Sequence, residues 1–172
     1  GEKDLRAQMN QFFHRTYTHP VDGTTLDMKM LCNWYWYDET AILETGKGTK
    51  DWNFYRYAET LLSAAEAIAQ SSGVNAEAAG YLAQVKARAN MEGKDVSTIA
   101  SELQRLGKQA FIEECWKERL REFPLEMKIW DDCVRTGKFP QISATNKGEV
   151  QFVDLIGATN GSGAKFKETD LY

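Results

Sequence analysis

The chain has 172 residues, enough for one domain with a sizeable core. Its net charge is −4, with lysines and arginines interspersed among acids, which excludes the basic footprint of a nucleic-acid-binding protein. No apolar run approaches the roughly 20 residues needed to span a bilayer as a helix.

Residues 1 to 50 mix aromatics, turns (Pro20, Asp22-Gly23) and short apolar stretches. The chain opens on polar Gly1-Glu2-Lys3-Asp4 and not on a signal-peptide pattern, which by itself assigns no compartment. Leu5, Met9, Phe12 and Phe13 have helical spacing. Within this part, Asn33 to Glu39 reads NWYWYDE, four large rings preceded by a carboxamide and followed by two carboxylates. On an extended strand Trp34 and Trp36 would face one side and Tyr35 and Tyr37 the other, because strand side chains alternate. Such rings serve burial and recognition equally well. Either one pair is core and the other ordinary surface, or one pair forms a flat platform for sugar rings, with Asn33, Asp38 or Glu39 bonding hydroxyls.

From Phe54 the set Phe54, Ala58, Leu61, Leu62, Ala65, Ile68 and Ala69 falls on one helix face, which predicts a helix over Arg56–Gln70. Ser71-Ser72-Gly73 stops it. Asn75 is a good N-cap for a second helix ending near Asn90, with Ala78, Leu82, Val85 and Ala89 on its stripe. The two make an antiparallel hairpin. A second pair follows: a short helix over Ser97–Leu106, a break at Gly107, and a longer helix marked by Phe111, Ile112, Cys115, Leu120 and Phe123. Pro124 kinks that helix or opens a new one. Leu125, Ile129, Trp130, Cys133 and Val134 carry the apolar face to a stop at Gly137. Residues 139 to 172 are loop-like, with a strand candidate at Val150–Ile156. The expected fold is mainly α, tetratricopeptide-like helical hairpins with irregular and short-strand flanks. It is divided into an aromatic-rich segment (1–50), a helical core (51–138) and a loop-rich end (139–172).

Catalytic and metal chemistry find little support. Cys32, Cys115 and Cys133 are odd in number and widely spaced, which argues against a disulfide framework or a zinc site. His14 and His19 have no Cys or Glu at ligand spacing. Glu59 with Glu66, and Glu118 with Glu122, lie among arginines at helical spacing and read as interhelical ion pairs, not acid/base dyads. Ala41 to Gly48, AILETGKG, imitates a phosphate loop but has Ala41 for the first glycine and Gly48 for the magnesium-binding hydroxyl. No catalyst and no cofactor are expected.

The stretch FYRYAETLLSAAEA, Phe54 to Ala67, resembles the SusD/RagB family, whose pattern R-Y-A-E/D-x-L-L-x-x-A-E-A it matches throughout. LAQVKARAN resembles the family's L-N-x-V-R-x-R-A-G, departing at Ala83, Lys86 and Asn90. The stretch from Lys117 to Phe139 resembles E-R-x-x-E-x-x-x-E-G-x-R-W-x-D-L-x-R-x-G. Glu118, Arg119, Glu122, Glu126, Trp130, Asp132, Arg135 and Gly137 are in register, while Met127 replaces Gly and Ile129 replaces Arg. Asp4-Leu5-Arg6 resembles the family's D-P-R box, which favours extended strand over helix there. Gly46–Lys50 lies where a lysine-containing strand often precedes the first helix.

The resemblance implies that the chain corresponds to about the last third of such proteins. It implies a non-enzymatic, cell-surface protein of the outer membrane, held by a lipid anchor absent from this chain. Such a protein binds an oligosaccharide or polysaccharide and delivers it to a SusC-type TonB-dependent transporter. It also implies that ligand contacts come from aromatic stretches outside the helices. Here those are Trp34 and Trp36 first, with Asn33, Asp38, Tyr35 and Tyr37 around them and Trp52 as a further candidate. The rival reading is a helical-repeat scaffold that binds a protein or peptide and no sugar.

Overall fold

A computed structural model describes residues 3–41, 43, 46–143, 145 and 148–171. Ile42, Glu44 and Thr45 of the phosphate-loop look-alike lie outside the described residues. In chain order the elements are β1 (Phe13–Thr18), β2 (Thr25–Asn33), α1 (Tyr57–Ser72), α2 (Ala76–Ala89), α3 (Val96–Leu103), α4 (Lys108–Glu122), α5 (Ile129–Thr136), β3 (Lys138–Ile142) and β4 (Val150–Asp154). None of the described helices is long and apolar enough to cross a membrane.

α1 and α2 form the expected hairpin. Gly73, in the left-handed region, ends α1, and the Asn75 side chain accepts from Ala78 N at the start of α2. Their interface is built from Ala65, Ala69, Ala78, Ala79 and Ala83 around Leu62 and Leu82, all without solvent exposure. Alanines at these places let the two backbones approach closely. Ile99, Leu103, Phe111, Ile112, Cys115 and Phe123 complete the same core.

The second pair departs from expectation. α3 packs on α2 and α4 packs on α1, with little contact between α3 and α4. With eight residues, α3 carries only Ile99 and Leu103 as buried anchors, and both are used on the existing core. Pro124 neither kinks a helix nor opens one: α4 has already ended, and residues 124–127 form a turn before α5. On α5 only Cys133 is buried, whereas Trp130 and Val134 are partly exposed. The three cysteines are free.

Charge pairs bind the helices together. Arg135 forks onto Glu66 with two bonds of 2.8 Å, and Arg119 joins Asp132 at 2.7 Å, clamping α5 to α1 and α4. Glu122 accepts from Arg6 at 2.7 Å, from Arg56 at 2.9 Å and from Arg88. Burial alone would raise the Glu122 and Glu66 carboxyls, but their arginines outweigh it and hold both below the ordinary glutamate range. The helical carboxylates are therefore the ion pairs that their spacing predicted.

Residues 5–7 form a short 3-10 turn capped by Asp4, whose carboxylate also holds Arg6 at 2.7 Å, and the chain then extends into β1. The helical spacing of Leu5 to Phe13 is accidental, and the segment follows the extended alternative from Phe13. β1 and β2 pair antiparallel, from Phe13 opposite Asn33 to Thr18 opposite Thr25. Between His14 and Thr16 the register shifts, because β2 carries extra residues around Lys29, which is held at φ 60° with its N–H on Asp27 Oδ1. β3 and β4 form a second hairpin. Residues 46–50 are irregular and form no strand.

Candidate glycan-binding site

The strand alternation expected for NWYWYDE does not occur. β2 ends at Asn33, whose Oδ1 accepts from Tyr35 N at 2.9 Å, and Tyr37 N closes a turn onto Trp34 O at 3.0 Å. A turn sends successive side chains in new directions, so the rings are sorted by what they meet, not by parity.

Trp34 stacks on His14 (4.4 Å, 12°) and on Tyr37 (4.4 Å, 17°), with Tyr17 tilted against it at 5.6 Å. Two near-parallel rings that close cannot lie side by side on one indole face. Trp34 is therefore filled on both faces and knits the turn to β1. Trp36 goes elsewhere. Its Nε1 donates to Leu125 O at 3.0 Å, in the turn before α5, and its ring stacks on Trp52 at 4.3 Å and 24°. Tyr35 meets Trp36 edge-on at 4.8 Å. The pairs are thus Trp34 with Tyr37 and Trp36 with Trp52, not the two tryptophans against the two tyrosines.

Polar groups lock this arrangement. The Asp38 carboxylate accepts from the backbone N–H groups of Thr49 (2.6 Å), Lys50 (3.0 Å) and Thr40 (3.0 Å). These bonds, that of Thr49 foremost, hold its carboxyl below the ordinary aspartate range. The Lys50 ammonium donates to Tyr35 O at 2.6 Å and Tyr37 O at 3.3 Å and lies over the Tyr35 ring. Asn33 and Asp38 therefore shape the backbone that carries the rings. Trp52 is the open member, 53% exposed, with one face on Trp36 and the remainder toward solvent.

The loop from Trp52 to Tyr57 continues the exposure. Periodicity puts Phe54 on the α1 stripe, but it lies before the helix and is 70% exposed, since α1 begins only at Tyr57. Lys128 lies over Tyr55 at 4.6 Å and Phe54 at 5.5 Å and donates to Phe54 O at 2.8 Å. Phe54, Tyr55 and Lys128 form a patch of their own just before α1. Nothing in their sequence spacing brings Lys128 to Phe54 and Tyr55.

A family model for the SusD family matches residues 5–166. The chain belongs to the SusD family. A crystal structure of a SusD superfamily protein from Parabacteroides distasonis superposes with a TM-score of 0.79 at 28% identity, covering 99% of this chain and 35% of that one. The chain thus spans about a third of the length of that SusD relative. Comparison with curated proteins gave no significant match. Two departures from the SusD pattern now have a local setting. Met127, where glycine is usual, has φ 60°, the left-handed conformation glycine adopts freely. At Ile129, where arginine is usual, no cation is present, and Glu59 takes Lys128 at 3.3 Å and Arg119 at 3.4 Å.

Proposed function

We propose that the chain is the glycan-binding C-terminal part of a non-enzymatic, outer-membrane surface lipoprotein. In this reading it captures oligosaccharide and delivers it to a SusC-type TonB-dependent transporter. Membership of the SusD family supports the class. The observation that carries the binding role is the solvent-facing Trp52 ring, stacked on a Trp36 that is itself fixed to the Leu125 carbonyl.

A pyranose offers a C–H face to such a ring, and a ring already held by stacking loses little freedom when it binds. Trp52 and Trp36 form the platform and Tyr35 flanks it. Trp34 and Tyr37 hold the turn to β1, while Asn33 and Asp38 fix the turn and residues 49 and 50. A second reading, a scaffold for a protein partner, is favoured by the exposed Val21, Leu26, Met30 and Leu31 of the first hairpin.

Calorimetric titration against a panel of neutral and acidic oligosaccharides, with a parallel assay for reducing ends, separates the two. Saturable binding without release, weakened in Trp52→Ala, is expected. Absence of binding to any glycan, or binding untouched by loss of Trp52, would discard the platform.

A further inference from the structure

The helical side of the aromatic cluster opens into a groove that the platform does not use. Tyr35, edge-on to Trp36, also lines a cavity of about 300 Å³ with Phe12, Gln11 and Arg88. Arg56 and Arg88 also line a second cavity, a groove of about 410 Å³ whose floor is the buried Leu61 and Val85 and whose walls include Tyr57 and Gln84. Each volume lies in the range of small-ligand clefts.

The polar groups here differ in how fully they are used. The Arg56 guanidinium is committed to Glu122 and Glu126 through four bonds. Arg88 is not. Its side chain is 59% exposed, and of its five N–H donors only one, on Nη2, has a partner among the described residues, the Glu122 carboxylate. That carboxylate already serves Arg6 and Arg56. Arg88, which lines both cavities, therefore keeps four N–H donors without a partner among the described residues, beside the Glu122 carboxylate that also lines the first cavity. Gln11 and Gln84 are exposed and have no hydrogen-bond partner among the described residues.

We propose that this groove takes a carboxylate-bearing sugar, such as a uronic acid, of the glycan whose neutral part stacks on Trp52. The assignment rests on the glycan-binding reading above. Arg88 meets the carboxylate with a guanidinium fork, the geometry that suits a planar anion best. The Gln84 and Gln11 carboxamides bond hydroxyls, and the exposed Tyr57 ring packs on the sugar face.

The test compares uronic-acid oligosaccharides (oligogalacturonides and hyaluronan fragments) with the same oligosaccharides after carboxyl reduction, by calorimetric titration. The wild-type chain is expected to bind an acidic form about ten-fold more tightly than its reduced form, the size of one charge-assisted contact. Arg88→Gln should erase the difference. Because Arg88 also holds Glu122, Gln84→Glu is the second variant: it places a negative charge in the groove at an exposed residue without partners, and should likewise erase or invert the preference. Trp52→Ala should weaken both forms alike. Equal affinity for acidic and reduced forms, a preference that survives Gln84→Glu, or no binding of any acidic probe overturns the groove. Trp52-dependent binding of a neutral glycan would then leave the platform standing, and indifference to Trp52→Ala would remove the platform instead.

Discussion

The helical core and the aromatic end of this molecule reach order by different means. In the core, short apolar side chains let helices approach, and buried carboxylates are each met by one or more guanidinium groups, so that position along a helix decides the partner. At the aromatic end the backbone is mostly turn and loop, and order comes from rings contributed by β1, the turn at 34–37, the loop around Trp52 and the carbonyl of Leu125. Removing a core residue exposes a shared structure to collapse. Removing an outer ring costs little structurally and chiefly alters the surface.

The sharpest way to break the comparison is to attack the core. Leu62→Asp, with Leu62 fully buried between α1 and its neighbours, should cost at least about 4 kcal/mol by burying an unpaired charge, read as a collapse of the denaturant midpoint. Melting at the wild-type temperature would mean the α1 stripe is not core. Glu122→Ala should come next, at about 2–3 kcal/mol, since it removes a buried carboxylate shared by Arg6, Arg56 and Arg88, while Arg6 keeps Asp4 and Glu118 and Arg56 keeps Glu126.

The same network makes a prediction about acid. The folded-state pKa values of Glu66 and Glu122 lie below their unfolded values, so their contribution to stability is complete above about pH 4.3, the ordinary glutamate value, and is lost as pH falls through the lower folded values. Melting temperature should therefore drop with a steepening slope below about pH 4.3. An unchanged melting temperature down to pH 3 would show that the pairs contribute nothing.

The aromatic end should respond differently to its two tryptophans. Trp34→Ala, which empties a ring packed on both faces, should destabilise by about 2 kcal/mol. Trp52→Ala should change stability by less than about 1 kcal/mol and instead weaken glycan binding by about 1–3 kcal/mol. If the two variants exchange these effects, the roles given to the two rings are reversed. The smallest effect concerns Met127. It is 75% exposed and left-handed, so Met127→Gly relieves backbone strain without loss of packing and should stabilise by about 0.5–1 kcal/mol.

Much of the helical part was legible because helical period and capping chemistry are local. Asn75 capped α2 and Gly137 ended α5 as their residue types imply, and the arginine–glutamate pairs followed from spacing and the SusD pattern. Periodicity went astray where it ran past a helix end, at Phe54, and where it matched an extended segment by coincidence, at Leu5 to Phe13. It could not tell that α3 would pack on α2 and leave α4 to α1, because any apolar stripe fits several partners.

The family and the presence of an aromatic cluster were set by the sequence alone. Which ring is filled and which is open was decided by tertiary structure. A one-turn bend after Asn33 redirected Trp36 to a carbonyl 89 positions away, and nothing local in NWYWYDE encodes that distance. Trp34 and Trp36 are the same residue two positions apart, and only the neighbours that the folded chain brings to each make one a support and the other the backing of a surface.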